Sequence, residues 1–152
     1  MSTLLNVLHV VGAVFIVGPM AILPMSALRA LRAANTSEVA TLAKSTRVFS
    51  LLSLIVVVLG FGVVGVSDPK DNFSVTTPWI LTSVLLYIVA LLLSLFQVVP
   101  AMRRAAANVN ASSSSPDSSA TASNNGYAAI AAGSGIVSLL LLLIVVLMVW
   151  KP

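Results

Sequence analysis

LLNVLHVVGAVFIVGPMAILPMSAL, residues 4–28, contains no Asp, Glu, Lys or Arg. A helix rises about 1.5 Å per residue, so roughly 20 apolar residues cross the ~30 Å hydrocarbon core of a bilayer. The stretch reads as a membrane span. Three more uncharged runs follow at 48–66, 79–102 and 127–150. The expected architecture is an all-α bundle of four transmembrane helices. It forms one membrane domain over residues 1–152, because no connecting loop is long enough for a separate soluble unit.

Composition points the same way. Hydrophobic residues make up 59% of the 152 residues and charged residues 8%, against about 25% charged in an ordinary soluble domain. The net charge is +4, from eight Lys and Arg scattered over short loops. That scatter is a topology signal, so the partner it implies is the lipid bilayer and not nucleic acid. Cysteine is absent, which removes disulfides and thiolate metal sites. The first run is expected to be a retained span. It is too long for the apolar core of a leader, and Arg29 and Arg32 follow it directly.

Cytoplasmic loops are enriched in Lys and Arg. Arg29, Arg32, Lys44 and Arg47 lie between spans one and two, opposed by Glu38, and Arg103 and Arg104 follow span three, opposed by Asp117. The other side carries Asp68, Lys70, Asp71 and Lys151. Both termini are therefore expected outside, with Trp79 and Trp150 at the outer interface and Tyr127 at the inner one.

The connections differ in kind. Asn35 followed by Glu38 has the form of a capping box, which predicts a helical hairpin turning near Asn35. Thr77 before Pro78 predicts the start of span three, with the threonine hydroxyl as cap. Residues 107–126 lead into a run of Ser, Ala, Asn and Thr, and are expected to be a flexible cytoplasmic linker. An internal echo is also present. Span one closes on Pro24, Met25 and Arg29, and span three on Pro100, Met102 and Arg103. Pro19, beside Gly18, is expected to bend span one.

Gly60-Phe-Gly-Val-Val-Gly65 has the spacing of a dinucleotide fingerprint, but it sits in an apolar span with no strand before it. Gly60, Gly62 and Gly65 are instead expected to face another helix, since small residues let backbones approach in lipid. The same reasoning assigns Ala128, Ala131, Ala132, Ser134, Gly135 and Ser138 of span four to helix packing.

His9 is the one readily ionisable side chain within any span, and such residues are functional candidates in membranes. Asn6 lies near it. Span three carries Ser83, Tyr87, Ser94 and Gln97 at steps that place them on one face. These five polar residues, Asn6 included, are expected in the bundle interior, with His9 bonded to Tyr87 or Ser83. The alternative use of His9 is as an axial ligand of haem b, with Met148, a second copy's His9 or an open position on the other side of the iron. All four carboxylates fall in loops, and no catalytic triad, metal-binding histidine pair or phosphate loop is present, so no enzymatic activity is expected.

The opening LHVVGAVFIVGP of residues 8–19, continued by ALRALR at 27–32 and by Trp79, resembles an uncharacterised family of bacterial four-helix integral membrane proteins, domain of unknown function 2269. The resemblance implies a multi-pass protein of a bacterial plasma membrane. A similar leucine–histidine opening occurs in copper-resistance membrane proteins and in a haem-pathway oxidase family; in the latter the histidine is linked to haem, which would put His9 in that role. The residues favour a non-catalytic accessory or assembly subunit of a larger membrane complex, such as a respiratory oxidase assembly, with other membrane proteins as partners. A haem-b-binding protein using His9 comes second. A small-molecule permease comes third, because transporters generally need titratable groups near the midplane.

Overall fold

A computed structural model describes residues 2–66, 77–112 and 119–150. All regular structure among them is helical. Four helices are long and apolar enough to cross a membrane: Thr3–Arg32, Thr36–Val66, Pro78–Ala111 and Gly126–Trp150. The four-span expectation holds. Asp68, Lys70, Asp71, Asp117 and Lys151 lie outside the described residues.

Spans one and three are each broken by a turn of π-helix. Span one runs as α1 (Ser2–Gly12), a first π-turn (Ala13–Val17) and α2 (Gly18–Arg32). Span two is the unbroken α3 (Thr36–Val66). Span three runs as α4 (Pro78–Leu93), a second π-turn (Ser94–Val98) and α5 (Val99–Ser112). Span four lies within α6 (Ser119–Trp150). The linker expected at 107–126 is therefore shorter than its composition suggested. Residues 107–112 continue α5 and 119–126 open α6, because extending an existing helix fixes one residue per added hydrogen bond while starting one is costly.

The bundle has a basic end, where Arg29, Arg32, Arg103 and Arg104 lie, and a far end. The core fills the basic half. Met20, Ala27 and Ala30 of α2 meet Val39 and Ala43 of α3, Val98, Met102, Ala105 and Ala106 near and along α5, and Ile130 of α6. Here α2 packs on both α3 and α6, and α5 does the same. Toward the far end α1 packs on α3 and α4 on α6. Alanines dominate because lipid supplies no hydrophobic drive between helices, so close backbone approach must supply van der Waals contact instead.

The turn between spans one and two follows its sequence. Asn35 Oδ1 accepts the Glu38 amide at 3.2 Å and Asn35 Nδ2 donates to the Glu38 carboxylate at 2.9 Å. Helix α2 closes with the Asn35 amide on Ala30 O and the Ala34 amide on Leu31 O, both at 3.0 Å, the paired bonds of a Schellman motif. Ala34 sits at φ 53°. A left-handed conformation costs an L-residue roughly 1–2 kcal/mol. Ala34→Gly is therefore expected to stabilise the protein by about 0.5–1 kcal/mol, part of the gain being offset by glycine's freedom in the unfolded chain. Thermal unfolding in detergent checks this, and a lower midpoint would contradict it.

Pro78 opens α4 as expected, but the Thr77 side chain makes no cap bond. At the basic end Arg32 donates to the Tyr127 hydroxyl, and its guanidinium lies 4.9 Å from that ring's centroid. This contact ties span one to span four.

Candidate functional site

The polar residues of the bundle gather along α3. Tyr87 hydroxyl lies 2.6 Å from Ser53 Oγ, which donates to Ser50 O at 2.7 Å. Ser50 Oγ and Ser94 Oγ are 2.9 Å apart. All four side chains are buried. Ser83 is buried too, and donates to Trp79 O of its own helix at 2.8 Å. Ser138 Oγ of α6 is buried with no hydrogen-bond partner.

His9 takes a different partner from the one expected. Its Nδ1 lies 2.8 Å from Val56 O of α3. A carbonyl can only accept, so Nδ1 carries the proton, and in that tautomer of the imidazole Nε2 is the nitrogen left to accept. The ring lies against Gly60, where an added Cβ would sit 2.9 Å from His9 Cε1. Gly60 makes room for the imidazole. Tyr87 is engaged by Ser53 of α3, and Ser83 by the Trp79 carbonyl of its own helix.

Other expected positions divide. Gly62 faces Leu5, with 3.9 Å between an added Cβ and the leucine methyls, whereas Gly65 meets nothing within 4 Å. Asn6 and Gln97 are exposed and not interior. The interior stripe of α1 passes through Leu5, His9 and Gly12, one position off Asn6. In span three the second π-turn adds a residue, so the buried series Ser83, Tyr87, Ala90, Ser94 continues at Val98 and Met102. Gln97 is carried outward.

Ala128, Ala132 and Gly135 are exposed as well. The packed face of α6 is Ile130, Gly133, Ser134, Val137 and Leu141. Gly133 is the tight position, where a Cβ would lie 3.0 Å from Val98. Sequence reasoning missed it because nearly every residue from 128 to 135 is small, so each face of the helix offers the same signal. It also passed over Ser50 and Ser53, two serines in a leucine-rich run. Among the described residues no three His, Asp or Glu side chains gather to hold a metal ion.

Four long apolar helices around an alanine-rich core, with the Ser50, Ser53, Tyr87 and Ser94 hydroxyls hydrogen-bonded inside, define a polytopic integral membrane protein. The chain belongs to the family described as predicted integral membrane protein (DUF2269), whose profile matches residues 3–152. No curated protein and no solved structure matches it.

Proposed function

We propose that the protein is a non-catalytic accessory or assembly subunit of a larger complex in a bacterial plasma membrane, a respiratory oxidase assembly being one plausible host. The carrying observation is the exposed ridge of Ala128, Ala132 and Gly135 on α6. Nothing of this chain lies within 4 Å of a Cβ placed at Gly135. Small residues at this spacing are the surface on which membrane helices associate, and here the bundle leaves that surface unused. The small side chains that do meet within the bundle lie on the opposite face, at Gly133 and Ser134.

Affinity purification of the tagged protein from its native membrane, in mild detergent, tests the reading. Stoichiometric membrane partners are expected with the parent chain. Gly135→Leu points into open space, so it should leave the bundle folded and remove at least about 90% of the co-purifying partner, as bulk on a close helix contact does. Recovery of the protein alone, or undiminished partner with Gly135→Leu, would end the proposal.

His9 supports a second reading, a haem-b-binding membrane protein. Histidine ligands characteristically donate their other ring N–H to a backbone carbonyl, which fixes the tautomer and aims the free nitrogen. The His9–Val56 bond is such an arrangement, and Nε2 is the atom that would bind iron. A Soret band in the purified protein that disappears in His9→Ala would support it. A spectrum unchanged by His9→Ala would exclude it.

A further inference from the structure

The two interrupted spans share a local design. Span one reads Phe15-Ile-Val-Gly-Pro19 and span three reads Phe96-Gln-Val-Val-Pro100. In each, the π-turn ends two residues before the proline, and the intervening amide reaches back five residues: Gly18 N–H to Ala13 O, and Val99 N–H to Ser94 O. Proline has no N–H, and its ring clashes with the carbonyl four residues earlier. That carbonyl belongs to Phe15 in one span and to Phe96 in the other. The wide turn moves it aside. The two phenylalanines are 70% and 76% exposed, so both occupy the outer side of their break. The structure thus pairs Pro100 with Pro19, where the sequence echo had paired it with Pro24.

Each break divides its span into a segment toward the basic end and an arm toward the far end; the second arm packs on α6 and contributes Ala90 to the core. The arms are α1 and α4. Helix α1 is held on one stripe, while Leu4, Val7, Leu8, Val10 and Val11 are exposed. Each arm makes a polar contact with α3. His9 of α1 donates to Val56 O, and Tyr87 of α4 meets Ser53. Ser53 and Val56 are three residues apart, neighbours on a single turn of α3.

We propose that α1 and α4 are hinged arms, pivoting on the matched π-turns and both latched to the Ser53–Val56 turn of α3. Proline and π-turns are where helices bend, because each removes or displaces a rung of the ladder. Single side-chain hydrogen bonds between membrane helices contribute about 0.6 kcal/mol on average, weak enough for a latch that opens. Release of α1 uncovers His9 and Gly60. Because both latches use one turn, a displacement of that turn acts on both arms. The inference does not depend on the accessory-subunit reading.

The chain has no cysteine, so thiols introduced in pairs can carry spin labels. Three exposed pairs serve: Val7 with Val58 for the first arm, Leu85 with Val58 for the second, and Ile22 with Leu51 for the core. Pulsed electron-paramagnetic-resonance distances are measured in lipid nanodiscs. His9→Ala is expected to widen the Val7–Val58 distribution roughly twofold, as arm motion about a bend would, with the core pair unchanged. Tyr87→Phe, which removes only a hydroxyl, should do the same for Leu85–Val58. Distributions unmoved by both latch variants would overturn the proposal. So would equal broadening of the core pair.

Discussion

Met102→Ala is expected to destabilise the bundle by about 1–3 kcal/mol, and Met25→Ala by well under about 0.5 kcal/mol. Both residues sit in out-of-loop helical turns near the basic end, and their chemistry is identical. Met102 is fully buried, in the core that joins α5 to its neighbours, whereas Met25 is 50% exposed. In water, a buried Met→Ala change costs about 2–5 kcal/mol, partly because the lost atoms had been removed from water. In a bilayer the separated helices already lie in hydrocarbon, so most of that transfer contribution vanishes. What remains is lost dispersion contact and the cavity. The many alanines of this core, Ala27, Ala30, Ala105 and Ala106 among them, offer little side chain to fill the gap. Thermal midpoints in one detergent would check the pair. Equal shifts would mean that this core does not carry the stability assigned to it.

The same contrast explains what the sequence reveals and what it conceals. Spans are legible because a charge in hydrocarbon is costly, so 4–28, 48–66, 79–102 and 127–150 stand out without any motif. The turn at Asn35 is legible because capping is local, and Asn35 and Glu38 suffice to specify it. Which face of a span points inward is not. Lipid and bundle interior are both apolar, and the periodicity that marks a soluble helix loses its contrast. Leucine and valine cover α6 on all sides toward its end, and small residues do so at its start. The π-turns compound this. Each adds one residue to the count, so a periodicity read across Ser94–Val98 arrives at Gln97 when the buried position is Val98. The partners of His9 and Tyr87 were hidden for a related reason. Val56 contributes a main-chain carbonyl, which any residue has, and Ser53 is one hydroxyl among several.

Gly60→Leu is expected to cost about 1–3 kcal/mol, the range for forcing bulk into a closed contact, while Gly65→Leu should be nearly silent. The two glycines lie on the same helix, within two turns of each other. A Cβ at Gly60 would stand 2.9 Å from His9 Cε1 and 3.2 Å from Nδ1; at Gly65 it would meet nothing within 4 Å. The imidazole cannot simply swing aside, because its Nδ1 is held by Val56 O four residues before the glycine. Either the hydrogen bond breaks or α1 separates from α3. Gly12 opposes the second option only at the π-turn end of the seam, where it lies close to Val56, with an added Cβ 3.1 Å from the valine methyl. A double-mutant cycle isolates this account. Gly60→Ala alone should destabilise, and His9→Ala alone should lose the latch. Combined, they should cost less than their sum, because the smaller side chain at position 9 admits the new methyl. Strict additivity would show that Gly60 serves something other than the imidazole, and the seam between α1 and α3 would need another explanation.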